Sequence, residues 1–97
     1  MPFPIKPFIF DEYTIRQLAP TGPGVYGIGN SESWIYIGLA DNLEGALLRH
    51  LSVLDTNIEE QNPTLFAWEK SLATDRAARK IALIQELKPL LLALAAG

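Results

Sequence analysis

The sequence predicts a small α+β protein in which helices flank an antiparallel sheet of three strands. Short segments rich in β-branched and aromatic residues alternate with segments whose leucines recur at helical spacing. Residues 29–33 form a polar loop of a size that favours an antiparallel hairpin between two strand segments. The 97 residues, 48% of them hydrophobic, suffice for one core and leave little room for a second. One domain is therefore expected, with residues 1–19 as an extended segment and short helix, 20–89 as the main fold and 90–97 as an apolar tail.

The first predicted elements are an extended segment and a short helix. Three prolines hold residues 1–9 open, because proline fixes its own backbone and restricts the residue before it. Asp11 is expected to cap a helix over residues 12–18. Residues 20–24, with two prolines and two glycines, then force a turn. The apolar contacts of the helix are assigned to Tyr13, Ile15 and Leu18.

The middle of the chain is predicted to form two strands, a helix and a third strand. Residues 25–28 and 34–39 are the strands of the hairpin, because both are rich in β-branched and aromatic residues. Leucines at helical spacing predict a helix over residues 42–54, followed by a polar loop over 55–63. Residues 64–69 are the third strand. Alternation in that strand places Leu65 and Ala67 on one face and Phe66 and Trp68 on the other.

A helix over residues 75–87 is predicted to close the domain. Thr74 is expected to cap it, and Pro89 to end it. Its apolar side is assigned to Ala77, Ile81 and Ile84. The apolar residues 90–97 then either dock on the domain or bind a partner.

Several functional classes are excluded by what the sequence lacks. Without cysteine there is no disulfide, thiolate metal site or cysteine nucleophile. A single histidine supports no Ser-His-Asp triad, and no glycine-rich phosphate loop or dinucleotide fingerprint is complete. The longest apolar run, residues 90–96, is far shorter than the roughly 20 residues of a membrane-spanning helix. A soluble, cytoplasmic protein without a membrane partner is therefore expected.

Four segments occur in an order and spacing that are typical of one family. They are G-V-Y at 24–26, Y-I-G at 36–38, N-L-x-x-A-L-x-x-H at 42–50, and A-R-K-I-A-L-I-Q-E-L-K-P at 78–89. Together they resemble the GIY-YIG nuclease superfamily, and the match covers about residues 20–89. The resemblance implies the same α+β fold, on a scaffold of metal-dependent DNA endonucleases.

The resemblance also implies a set of catalytic positions, two of which have lost their chemistry. The family is understood to use a tyrosine as general base, an arginine to stabilise the phosphate and a glutamate to hold one divalent metal ion. The tyrosine corresponds to Tyr26, with Tyr36 beside it, but Ala46 stands in the arginine position and Lys80 in the glutamate position. A charged lysine has no lone pair for a hard cation, and alanine offers no charge to a phosphate. Leu92 stands where relatives often carry asparagine.

A nuclease-like domain that no longer cuts is the resulting prediction. It is expected to act as a module that binds protein or nucleic acid, with no cofactor. The alternative is an active but divergent structure-specific DNA endonuclease, which would need Mg²⁺ or Mn²⁺. Arg49 lies one turn after Ala46 and faces roughly the same way. Asp75 and Glu86 are not at i±4 spacing from Lys80, so neither is expected to replace the metal ligand.

The same side chains also have ordinary structural explanations, which stay open at this point. Tyr26 and Tyr36 can pack against the neighbouring helix with exposed hydroxyl groups. His50 is either a general base or metal ligand, or the partner of a structural hydrogen bond. Trp34 and Trp68 serve either to stack on nucleobases or, as is more common in short strands, to fill the core.

The candidate nucleic-acid contacts are Arg49, Arg76, Arg79 and Lys80. The alternative for the last three is a solvated helix face. The net charge of −3 argues against a broad polyanion-binding surface. Together with the apolar tail, this acidity favours a protein partner or self-association, and nucleic acid remains the other option.

Overall fold

The computed structural model describes residues 7–52, 58, 61–71 and 74–90, and these residues form three helices and four strands. In chain order they are β1 (Phe8–Ile9), α1 (Glu12–Leu18), β2 (Gly24–Gly29), β3 (Trp34–Ala40), α2 (Leu43–Ser52), β4 (Leu65–Lys70) and α3 (Arg76–Leu87). The predicted α+β class is confirmed. The predicted helix end at residue 54 and the tail at 91–97 lie outside the described residues.

The sheet is antiparallel and has four strands, in the order β1-β4-β2-β3. The prediction of three strands was therefore wrong by one. The additional strand is β1, in which Phe8 pairs with Phe66 and Ile9 with Leu65. Two residues are too short to show alternation in sequence, and this strand exists because the edge of β4 is available to it. The hairpin of β2 and β3 is as predicted, with Tyr26 opposite Gly38.

Two clusters of buried side chains fill the two faces of the sheet. The larger lies under α1 and α2, and the smaller lies under α3. Along β2, Val25 belongs to the smaller cluster, whereas Tyr26 and Ile28 belong to the larger. The sheet is thus a layer between one pair of helices and a third helix. Prominent members of the larger cluster are Phe10, Ile15, Tyr26, Ile28, Ile35, Leu43, Leu47, Ile58 and Phe66, and the smaller consists of Val25, Ile37, Ala67 and Leu83.

Helix α1 begins as the sequence predicts, but it buries fewer side chains than expected. The Asp11 carboxylate accepts a hydrogen bond from the Thr14 backbone N–H at 2.7 Å, which caps the helix. Ile15 is fully buried, whereas Tyr13 and Leu18 are exposed. A helix of two turns presents a narrow contact stripe, so one central residue carries most of its packing.

Helix α3 packs through a different face from the one predicted. Ala77 and Ile81 are exposed, and Leu83 is the fully buried residue, with Ile84 and Leu87 packed beside it. The cap was also wrong, because Asp75 rather than Thr74 occupies the cap position and makes no side-chain cap bond. Lys88, in the left-handed conformation at φ 50°, ends the helix before Pro89. No helix among the described residues is long and apolar enough to cross a membrane.

Candidate functional site

An open cleft of about 570 Å³ lies where β2 and β3 meet α2. We call it the cleft, and ten residues line it. Strand β2 contributes one tyrosine, β3 contributes three residues, the short β3–α2 connection two, and α2 four. The lining residues are Tyr26, Tyr36, Leu39, Ala40, Asp41, Asn42, Gly45, Ala46, Arg49 and His50.

The hairpin places the two tyrosines side by side. Because Tyr26 pairs with Gly38 and Ile28 with Tyr36, the tyrosines are diagonal neighbours with ring centroids 6.1 Å apart. The Tyr26 ring lies across Gly38. A Cβ at that glycine would come within 2.5 Å of the Tyr26 ring and 2.8 Å of the Tyr36 ring. The glycine of the second motif is therefore required by the close approach of the two rings.

Tyr26 is held by a hydrogen bond to His50. Its hydroxyl oxygen lies 2.7 Å from His50 Nε2, and only 4% of the residue is exposed. Burial, and then Tyr36, raise the pKa of Tyr26 above its usual value of 10.0, while Arg49 opposes the shift. Tyr26 is thus a protonated phenol at neutral pH, and its hydroxyl is hydrogen-bonded to the His50 ring. The His50 ring also lies 5.5 Å from both tyrosine rings.

These contacts correct one expectation for Tyr26 and give His50 a hydrogen-bond partner. An exposed hydroxyl was wrong for Tyr26, because that group is buried against His50. The structural hydrogen bond considered for His50 is present, and it forms from within α2 rather than after the helix.

Ala46 and Arg49, one helical turn apart, both line the cleft. Arg49 is exposed, and no described residue forms an ion pair with it. Ala46 is half-buried and also packs against the larger core cluster. The Asn42 side chain accepts a hydrogen bond from the Gly45 N–H at 3.0 Å, and it thereby caps the start of α2 at the wall of the cleft.

The other predicted cations lie elsewhere. Arg76 donates to the Ala40 carbonyl and pairs with Asp41, and this contact ties α3 to the wall of the cleft. Arg79 pairs with Glu69 at 2.6 Å, and this bond raises the pKa of Arg79. Lys80 is half-buried on α3, which packs on the opposite face of the sheet from α2, and it does not line the cleft.

The structure therefore brings together Tyr26, Tyr36, Ala46, Arg49 and His50, and separates them from the three basic residues of α3. Sequence reasoning missed five other lining residues. Gly45 carried a signal, since glycine inside a helix is unfavourable and suggests a local requirement. Asn42 also carried a signal, because it opens the motif at residues 42–50, whereas Leu39 and Ala40 at the end of β3 and Asp41 after it carried none. The missed residues are Leu39, Ala40, Asp41, Asn42 and Gly45.

The donor set of the cleft does not fit a divalent metal ion. Hard cations take several oxygen ligands, with carboxylates foremost among side chains. Within the part of the chain that the structure describes, Asp41 is the one carboxylate that lines the cleft, and Arg76 pairs with it. Among the described residues, no three His, Cys, Asp or Glu side chains cluster in a way that could hold a metal.

The two tryptophans pack on the domain and do not line the cleft. Trp68 lies against the cluster under α1 and α2, as its predicted face requires, and its Nε1 is buried without a hydrogen-bond partner. Trp34 packs against the cluster under α3.

Comparisons with known proteins found similarity in structure. No protein-family model matches the chain, and no curated protein matches it. The magnesium-bound GIY-YIG N-terminal endonuclease domain of UvrC from Thermotoga maritima matches with a TM-score of 0.65 and 27% identity, over 79% of this chain and 93% of that one. Two point mutants of the same domain, one with tyrosine changed to phenylalanine and one with asparagine changed to alanine, match at 27% identity and a TM-score of 0.65. Each covers 79% of this chain and 92% of its own, and both are bound to the catalytic divalent cation.

Proposed function

This chain belongs to the GIY-YIG superfamily, and we propose that it is a member that does not cleave DNA and instead acts by binding a ligand in its cleft. In this proposal the cleft occupies the position of the family's active site, but its side chains offer different chemistry. Three features support it: the state of Tyr26, the missing charges, and the space that remains open.

The observation that carries the proposal is the bond between the Tyr26 hydroxyl and His50. A tyrosine can serve as a general base near neutral pH only if its pKa is lowered well below 10. In this cleft, burial and Tyr36 raise the pKa of Tyr26, and Arg49 opposes the shift as the smallest contribution. The hydroxyl is also engaged in a hydrogen bond with His50 Nε2 at 2.7 Å. Tyr26 is therefore built to hold α2 against the hairpin.

The charges that phosphodiester cleavage requires are also missing. Ala46 offers no donor to a phosphate, and removal of one such stabilising group typically reduces the rate by about 10²–10³. At position 80, where the resemblance implies a metal-binding glutamate, the chain carries a lysine, which has no lone pair for a metal ion when it is charged. These effects are not simply additive, but loss of the metal ligand alone abolishes the function of a one-metal site.

The cleft nevertheless keeps the features of a binding site. It is open, and it combines aromatic rings, an amide, a carboxylate and an exposed guanidinium. The structural neighbours are endonuclease domains. A ligand with nucleic-acid chemistry is accordingly the first class to consider for this chain.

A cleavage assay tests the proposal. The chain would be incubated with branched and flapped DNA in the presence of Mg²⁺ or Mn²⁺, beside Tyr26→Phe and the double variant Ala46→Arg, Lys80→Glu. We expect no metal-dependent cleavage by the unmodified chain. Cleavage that Tyr26→Phe abolishes would overturn the proposal. Tyr13→Phe is the matched control, because Tyr13 is 74% exposed and remote from the lining residues, so activity from a contaminating nuclease would survive both substitutions.

A protein partner, including a second copy of the chain, is the second candidate. Four large side chains with hydrophobic character are at least half exposed, and they favour it because such groups contribute to interfaces. Light scattering after size exclusion, at two protein concentrations, tests self-association. A monomer mass at both concentrations would argue against it. The four side chains are Ile9, Tyr13, Ile81 and Leu90.

A further inference from the structure

We propose that the ligand of the cleft is a nucleoside monophosphate unit, held without a metal ion by Arg49 and the rings of Tyr36 and His50. The unit is either a free nucleotide or the phosphorylated end of a strand, and both sources present the same chemistry. This inference rests on the proposed function and names the ligand of that site.

The size of the cleft fits such a ligand. Small-molecule sites typically measure about 300–1,000 Å³, and the cleft measures about 570 Å³. The room comes from Gly45 and Ala46, which present almost no side chain on the exposed face of α2. A Cβ at Gly45 would already lie 3.1 Å from the Asn42 amide nitrogen.

The charge of the cleft fits one phosphate and not a row of them. Arg49 is exposed at the cleft, and a guanidinium binds a phosphate through two parallel hydrogen bonds. Arg76 and Arg79 are engaged by Asp41 and Glu69. Binding along a nucleic-acid backbone requires several cations that each neutralise a phosphate. Asp41, whose side chain is 91% exposed, would instead repel a second phosphate at the cleft wall.

The remaining lining groups fit a base and a sugar. Tyr36 is half-buried at the cleft, and its ring lies 5.5 Å from that of His50. Together they offer aromatic surface, on which a nucleobase stacks with little dependence on its identity. The side-chain oxygen of Asn42 accepts a hydrogen bond from the Gly45 N–H. The side-chain nitrogen of Asn42 can donate to a base edge or a hydroxyl group.

A titration with defined probes tests the inference. Isothermal calorimetry in the presence of EDTA would compare adenosine 5′-monophosphate with adenosine and with inorganic phosphate. We expect the nucleotide to bind more tightly than either fragment. Arg49→Gln should weaken nucleotide binding about tenfold or more, because a hydrogen bond to a charged group is lost. Ala46→Leu should weaken it by filling the cleft.

Arg16→Gln is the matched control for charge, since Arg16 is an exposed arginine paired with Glu12 on α1. It should bind the nucleotide as the unmodified chain does. Circular dichroism and thermal melting establish that each variant is folded. A folded Arg49→Gln variant with unchanged affinity would overturn the inference, as would the absence of nucleotide binding to the unmodified chain.

Two further probes distinguish the source of the ligand. A pentanucleotide with a 5′-phosphate that binds more tightly than its unphosphorylated form and than the free nucleotide indicates a strand end. Tighter binding of the free nucleotide indicates a small-molecule site. Both outcomes support the inference. The two proposals fail in different experiments. Metal-dependent DNA cleavage would overturn the proposed function, whereas an absence of nucleotide binding in EDTA would overturn only the inference about the ligand.

Discussion

Replacing Tyr26 with phenylalanine tests whether the bond to His50 supports the fold. The substitution removes one oxygen atom and leaves the ring that packs beside Tyr36 in place. The hydroxyl lies 2.7 Å from His50 Nε2, and Tyr26 is 4% exposed. His50 is half-buried, so water can partly replace the lost partner.

The expected loss of stability is modest and can be measured. A neutral hydrogen bond contributes about 0.5–1.5 kcal/mol net to the free energy of unfolding. In a domain of this size, 1 kcal/mol corresponds to a decrease of about 4–8 °C in Tm. We therefore expect Tyr26→Phe to lower the free energy of unfolding by about 1 kcal/mol. Tyr13→Phe, at a site that is 74% exposed, should leave it unchanged.

Urea unfolding of a double-mutant cycle isolates the bond. The cycle comprises the unmodified chain, Tyr26→Phe, His50→Ala and the double variant. Residues in direct contact show an interaction energy of about 0.5 kcal/mol or more, whereas independent sites add. Additive effects of the two substitutions would refute the reasoning, because the hydroxyl would then contribute nothing through the histidine.

The free energy of unfolding should also depend on pH through Tyr26. The folded-state pKa of Tyr26 is raised above 10.0, mainly by burial. The unfolded chain therefore ionises this tyrosine first as pH rises, and the stability present below about pH 10 is lost above it. Phenylalanine cannot ionise. We expect the difference in the free energy of unfolding between the unmodified chain and Tyr26→Phe to narrow as pH rises past 10.

Three further predictions concern residues that support the fold, and each is measured by urea unfolding. Gly38→Ala should lower the free energy of unfolding by about 1–3 kcal/mol, because the new methyl group would lie 2.5 Å from a tyrosine ring. Gly22→Ala is the control and should be tolerated, because the nearest atom to its new methyl group is 3.9 Å away. Arg76→Ala should cost about 1.5–3 kcal/mol, because its side chain is 17% exposed and leaves a carbonyl without its donor. Arg16→Ala, which removes an exposed i,i+4 pair, should lower the free energy of unfolding by only about 0.3–0.5 kcal/mol. Equal losses for Arg76→Ala and Arg16→Ala would contradict the structural role given to Arg76. Asp11→Ala should lower the free energy of unfolding at neutral pH. This loss should shrink as pH falls below about 3.8, because hydrogen bonding by the Thr14 side chain, and then by its backbone N–H, lowers the pKa of Asp11 in the folded chain.

The elements and the hairpin were predictable because they depend on local patterns. Residues 24–29 and 34–40 carry β-branched and aromatic side chains on either side of a polar loop, and the two segments pair in the structure. The cap at Asp11 is equally local, since it depends on one side chain and a backbone group three residues later. Such features need no knowledge of the rest of the chain.

The contact face of α3 was not predictable from hydrophobicity. Ala77 and Ile81 form an apolar stripe by spacing, yet the helix buries Leu83 and packs Ile84 and Leu87 beside it. Arg79, on the same side of the helix, is held by an ion pair with Glu69. A helix whose first turns dock through charged side chains does not reveal its orientation in a pattern of apolar residues.

The bond between Tyr26 and His50 was not predictable for a different reason. It joins residues 24 apart in sequence, and it depends on the rotation of α2 about its axis and on the register of β2 with β3. The sequence indicated that both residues belong to one motif set. It contained no signal that the tyrosine hydroxyl is hydrogen-bonded to the histidine.

The fold and the chemistry of this domain depend on different side chains. The core under α2 is built from Leu43 and Leu47, which are fully buried, whereas Ala46 and Arg49 on the same helix line the cleft. A charged side chain at position 46 would therefore alter the charge of the cleft, although Ala46 also packs against the cluster that contains the two leucines. Tyr26 belongs to both sets, because its ring lies in the core and its hydroxyl is at the base of the cleft. If the hydroxyl supports the fold through His50, then phenylalanine at position 26 will reduce stability even in a chain that cuts nothing, and this result separates a structural tyrosine from a catalytic one.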